Sequence, residues 1–91
     1  MLEKLLSTSR GMTHRFPEGN NPFQMLARLL EESGELAQQV NHFEVTGIKR
    51  EKYGEPDRQK LAHEVMQVLR CAAQFAIYYD IENEVEAQLE T

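Results

Sequence analysis

The chain has no tryptophan, one cysteine and three prolines in 91 residues. A single cysteine, Cys71, excludes an intrachain disulfide and a cysteine-built zinc site, and a reducing compartment is the expected setting. Two of the prolines, Pro22 and Pro56, fall where the helical pattern starts or breaks. No apolar run approaches the ~20 residues of a membrane span, so no transmembrane helix is expected. The opening "MLEKLLSTSRG" lacks a basic start followed by a long apolar block. No secretory signal is therefore expected, and the expected location is cytoplasmic. Basic residues are in deficit, 10 Lys and Arg against 15 Asp and Glu, which gives a net charge of −5 and a pI near 5.1. That balance excludes a general nucleic-acid binder, which needs a basic footprint. It fits a protein that gathers carboxylates for metal ions. There is no internal repeat and no low-complexity segment.

What remains is ordinary globular composition, 41% apolar and 27% charged. The length predicts one domain spanning 1–91. A domain this small buries only roughly 60–65% of the surface its unfolded chain exposes, so its own core is thin. The pattern is helical throughout. Leu2, Leu5 and Leu6 give a short apolar face expected to end near Gly11, followed by a loop over "FPEGNNP". A long helix then opens with Asn21 as cap, Pro22 at the first helical position and Gln24 where a capping-box partner belongs. Its apolar positions are Leu26, Leu29, Leu30, Ala37 and Val40, with Leu36 and Phe43 at the edge and Gly47 as the expected stop. A second long helix is predicted from about Asp57 to Tyr79, with a stripe of Leu61, Val65, Val68, Leu69, Ala72, Phe75, Ala76 and Tyr79. Asp80 is expected to cap a short last helix carrying Ile81, Val85 and Leu89. The predicted fold class is all-α: two long antiparallel helices plus short terminal helices, completing a four-helix bundle on dimerisation. The alternative is a monomer whose short helices cover the open face.

The stretch "LLEESGELAQQV" crowds Glu31, Glu32 and Glu35 within about a turn. At about 100° per residue, Glu35 lies almost opposite the centre of the predicted apolar arc and Glu32 at its border. The two are helical neighbours, and like charges at that spacing repel. Either water screens them on a solvated face or a cation is held there. For Glu31 alone the sequence leaves a solvated residue or a supporting role. On the second helix Glu64 falls between Cys71 and Phe75, inside the apolar arc. A carboxylate facing a core is costly unless it is neutralised, hydrogen-bonded or bound to a metal. Gln67 sits three residues on, at the border. Oxygen ligands at i and i+3 from two facing helices suit Mg2+, which completes its shell with water and phosphate oxygens. "HEVMQ", His63 to Gln67, starts like a zinc-protease helix, but Gln67 replaces the second histidine and excludes that site. His14, His42 and His63 share no ligand spacing.

"EESGE" at Glu31–Glu35 followed by "EVMQ" at Glu64–Gln67 resembles the EExxE…ExxD signature of the MazG-type all-α nucleotide pyrophosphohydrolases. "NPFQMLARLLEESGELAQQVN" and "KLAHEVMQVLRCAAQFAIYYDIE" resemble that family's two core helices, and the likeness runs roughly from Phe16 to Glu82. The resemblance implies hydrolysis of a nucleoside triphosphate, often a deoxy or non-standard one, to the monophosphate and pyrophosphate. It implies nucleotide-pool control, Mg2+ (or Mn2+) as cofactor, and a homodimer or homotetramer that engages neither nucleic acid nor membrane. By position it implies that Glu32, Glu35, Glu64 and Gln67 are the metal positions and that Glu31 assists catalysis by positioning water. The chain departs from the family where Gln67 replaces the final Asp. An amide oxygen still binds a cation, but ligand charge falls by one, and Gln67 cannot act as a base. The acidic segment from Glu82 onward stands where many family members place basic groups. The phosphate-facing cations are then sought in the cluster of Lys49, Arg50, Lys52, Arg58 and Lys60, whose other reading is a solvated loop diluted by Glu51, Glu55 and Asp57. Lys49 and Lys60 are the named candidates. Arg28 and Arg70 lie on polar faces with either reading open. Phe16 and Asn20 stand where a nucleobase would be recognised, although Phe16 also suits a staple against the core. Three functions follow: a Mg2+-dependent pyrophosphohydrolase, a catalytically weakened nucleotide- or partner-binding dimer, and a structural helical dimer with solvated glutamates.

Overall fold

Helix boundaries are set by local chemistry that the structure makes explicit. The computed structural model describes residues 1–15, 21–44 and 54–91, with the side chains of residues 12–15 outside the description. It contains four helices: α1 (Leu2–Arg15), α2 (Pro22–Glu44), α3 (Arg58–Tyr78) and α4 (Glu82–Leu89). No strand occurs among the described residues. None of these helices is long and apolar enough to cross a membrane.

A side-chain variant of the predicted capping box opens α2. The Gln24 backbone N–H donates to Asn21 Oδ1 at 2.9 Å, and Asn21 Nδ2 donates back to Gln24 Oε1 at 2.6 Å. Asp57 opens α3, its Oδ1 accepting from the Gln59 N–H at 2.8 Å, which satisfies an otherwise orphaned donor. Two boundaries differ from expectation. Helix α1 runs through Gly11 to Arg15, because a glycine in a helix costs only about 1 kcal/mol and need not end it. Asp80 does not cap α4. It takes φ 55 and closes α3: Asp80 N–H donates to Ile77 O and Ile81 N–H to Ala76 O, the Schellman pattern. Ile81 precedes α4 with no side-chain cap. The expected stop at Gly47 lies outside the described residues.

Helix α3 is the central element, packed by α2, α1 and α4. Helices α2 and α3 are antiparallel: Arg28 neighbours Cys71, Glu35 neighbours Glu64, and His42 Nε2 donates to the Gly54 carbonyl at 2.8 Å. Rising positions on one helix meet falling positions on the other. Gly54 takes φ 81, where a side chain would be strained.

The buried core sits on the far side of α3, between α1 and the end of the bundle. Leu5 and Leu6 of α1 bury against Ala73 and Ala76, with Leu2, Leu69, Ile77 and Val85 packed around them. The two alanines leave room for α1 to approach, and Ser9 is wholly buried there. An ion pair between Arg10 and Glu82, 2.8 Å, ties α1 to α4.

The apolar face of α2 is shifted from the predicted one. Its inward line is Met25, Leu29, Glu32, Leu36, Gln39 and Phe43, all buried or half-buried, spaced four and three apart. Leu26, Leu30, Ala37 and Val40, the centre of the predicted arc, are exposed. So are Val65, Ala72 and Tyr79 of the predicted α3 stripe. Composition alone did not distinguish these faces, because α2 carries two apolar seams about 100° apart, and α3 packs on only one.

Candidate functional site

The shift in the α2 face changes the standing of Glu32. It lies on the inward line, one turn from both Leu29 and Leu36, and is half-buried, as is Glu64 on α3. Glu32, Glu35 and Glu64 each present a carboxylate oxygen within 4.8 Å of the others. Two stretches separated by about thirty residues thus meet in one acidic cluster, as the antiparallel packing of α2 on α3 requires. Oε2 of Glu32 and Oε2 of Glu64 are both buried, and neither has a hydrogen-bond partner. A buried acceptor without a donor carries most of its desolvation cost.

Electrostatics records the strain. Glu32 is held above the ordinary carboxylate value of 4.5, first by burial, then by the neighbouring Glu35 and Glu64 carboxylates. A proton on Glu32 is one way to relieve the cluster; a cation at its centre is another. The neighbouring Cys71 thiol is also pushed up from its usual value, chiefly by burial and next by Glu32, with Arg28 opposing. Cys71 is therefore a protonated, half-buried side chain, unsuited to nucleophilic work.

Beside the cluster lies a cavity of about 100 Å³, lined by residues of three helices: Ser9 from α1, Arg28 and Glu32 from α2, and Gln67, Arg70, Cys71 and Gln74 from α3. Glu32 belongs to both the cluster and the cavity wall. Gln67 is here, its Oε1 accepting from Arg70 Nη1 at 3.4 Å. The Arg70 Nε–H is buried and has no acceptor. A larger, more apolar groove of about 380 Å³ lies on the other side of Arg70, between Leu5 of α1 and Met66 and Leu69 of α3.

The remaining sequence candidates are dispersed. Glu31 is exposed and stands outside the cluster. Lys60 is exposed on the first turn of α3, one turn before Glu64. Phe16, Asn20 and Lys49 lie outside the described residues. Asn21, beside the Asn20 candidate, is engaged in capping α2. Sequence reasoning left Arg28 and Arg70 undecided and did not single out Ser9 or Gln74. A signal existed for the two arginines. Arg28 precedes Glu32 by four residues and Arg70 follows Gln67 by three, spacings that set each on the same side of its helix as the candidate site. Ser9 carried no such signal, since only the docking of α1 brings it near. The chain matches no family model, no curated protein and no solved structure.

Proposed function

We propose that the protein is a Mg2+-dependent nucleoside triphosphate pyrophosphohydrolase of MazG-like type, working as a homo-oligomer in nucleotide-pool control. One observation carries the reading: carboxylates from two separate helices converge, and two of their oxygens are buried without any hydrogen-bond donor. The donor set fits a hard divalent cation, which takes oxygen ligands and few protein groups. Glu32, Glu35 and Glu64 would hold it. When bound, such an ion supplies charge neutralisation for phosphate oxygens and lowers the pKa of a coordinated water. The chain's own residues do the rest. The half-buried α2–α3 interface fixes the positions of Glu32 and Glu64 and limits water around them, which strengthens each electrostatic contact. Glu31, exposed at the rim, is assigned to orienting water from outside the cluster. Gln67 contributes no charge, and its amide oxygen lies 3.4 Å from Arg70 Nη1.

That last contact favours a second reading, a nucleotide-binding protein with weak turnover. The substitution Gln67→Asp separates the two. If pyrophosphate release appears only in that variant, the natural chain is a binder. The test of the first reading is a panel of nucleoside and deoxynucleoside triphosphates assayed with Mg2+ or Mn2+, measuring pyrophosphate and phosphate separately. Pyrophosphate without phosphate is expected from at least one nucleotide, with Glu35→Gln and Glu64→Gln inactive. An inert wild type across the panel overturns it.

A further inference from the structure

We infer that the cavity beside the acidic cluster is a phosphoryl-binding site, with Arg28 and Arg70 as its counter-charges and Ser9 and Gln74 as its polar lining. The inference rests on the proposed nucleotide chemistry for its biological ligand, but the site itself stands on its own geometry. Two guanidinium groups, one on each long helix, line a single cavity of about 100 Å³. That is room for roughly three waters at ~30 Å³ each, or for one tetrahedral oxyanion of similar bulk. Arginine cannot shed its charge, and its planar fork matches phosphate oxygens two at a time.

Arg70 has donors to give. Its Nη1 makes only a long bond to Gln67, 3.4 Å, and its Nε–H is buried without an acceptor. A buried cationic donor left unmade is costly, more so than a neutral one. An anion in the cavity removes that cost. The other wall is polar as well: Ser9 is fully buried, its hydroxyl donating to the Arg70 carbonyl at 3.4 Å, and Gln74 is nearly buried. Position completes the case. Glu32 forms part of the same wall, so an anion held by Arg28 and Arg70 abuts the carboxylates proposed to hold the cation. A diphosphate spans that pair of sites, one phosphoryl group toward the guanidinium groups and one toward the divalent ion. The basic groups sought in the inter-helix segment are then supplied by the helices themselves, and α1, through Ser9, closes the third side.

The experiment is titration of the purified full chain with inorganic pyrophosphate, followed by calorimetry and by thermal unfolding, in chelator and again in Mg2+. Wild-type protein is expected to bind pyrophosphate in chelator and more tightly in Mg2+. Arg70→Gln is expected to weaken binding at least ~10-fold, the scale of a lost hydrogen bond to a charged group, while the rise in midpoint caused by Mg2+ alone persists. Arg28→Gln, on a different helix, should weaken binding similarly and keeps the test decisive if Arg70→Gln fails to fold. Arg70→Lys, which keeps the charge but loses the fork, should fall between. Pyrophosphate binding that is undiminished in both glutamine variants overturns the inference. So does an absence of binding by wild-type protein whose Mg2+-dependent midpoint rise is intact, an outcome that leaves the cation reading standing. Loss of the Mg2+ response itself, with pyrophosphate still bound through the arginines, overturns the cation reading and leaves this one.

Discussion

Glu32 has three means of relief from its position: a proton, a neighbouring guanidinium or a divalent ion. Its upward shift means that, with no metal bound, the fold favours the protonated form more than water does. Burial, then Glu35, then Glu64 all raise it, so the folded chain holds this proton more tightly than the unfolded one. Linkage then fixes the sign. The contribution to stability is fully present below the ordinary value of 4.5 and is lost as pH rises through the folded value. The cleanest readout is the difference in unfolding midpoint between wild type and Glu32→Gln in chelator. It should be near zero at pH 4 and favour the variant by several degrees at pH 8, since about 1 kcal/mol moves a chain of this size by ~4–8 °C. With Mg2+ the order should reverse, because an ion that binds only the folded state stabilises the wild type and finds fewer charged ligands in the variant. A wild type that remains the more stable of the two in chelator at pH 8 would mean that Arg28 already neutralises Glu32.

At the level of elements, the closure of α3 carries a cost that a single substitution should remove. Asp80 occupies the left-handed position of a Schellman motif, where glycine is the usual residue and other L-residues cost about 1–2 kcal/mol, aspartate less than most. Asp80→Gly should therefore raise the unfolding midpoint by a few degrees without altering helix content by circular dichroism; a lower midpoint would show that the Asp80 side chain contributes a bond of its own. This position also marks how far local chemistry reads. Asn21 with Gln24, and Asp57 ahead of α3, were legible because a cap is a contact between residues two or three apart. Asp80 has the same chemistry but was assigned to the wrong helix, because only the observed φ separates the end of one helix from the start of the next. Side-chain periodicity was less decisive. Leu26 and Leu30 score as core by composition, yet Met25 and Glu32 face α3. The Glu32, Glu35 and Glu64 cluster was legible, since an antiparallel hairpin of two acid-bearing helices admits few registers. The arginine-lined cavity was not, because it needs α1 docked on Ala73 and Ala76 before it exists.

The whole molecule is open for a single chain of its mass. Its accessible surface is 6945 Å², against about 5,500 Å² expected for a compact monomer of its mass. Its radius of gyration is 15.6 Å, where about 12 Å is typical for its length. The extents of 46 × 34 × 18 Å describe a slab. The excess is chemically specific. Phe23 and Leu30 are 83% and 64% exposed, with Leu26 and Val40 beside them on the outer seam of α2, and Val65, Ala72 and Tyr79 recur every seven residues along α3 and its C-terminal cap. Seven-residue spacing is what a helix shows to a parallel or antiparallel partner helix, and roughly 800 Å² per partner makes a stable interface. A second copy set against these seams would complete the four-helix bundle of the proposed homo-oligomer and cover the surplus. Light scattering should accordingly give at least twice the 10.6 kDa chain mass. Leu30→Glu and Val65→Glu should each reduce the mass toward one chain, and Glu86→Lys on α4 should leave it unchanged. Because Leu30 and Val65 are exposed within one chain, these substitutions cost the isolated fold little, so helix content should survive the loss of assembly. A wild type of single-chain mass would leave those seams without a partner, and a Leu30→Glu protein that still assembles would move the contact elsewhere on the slab.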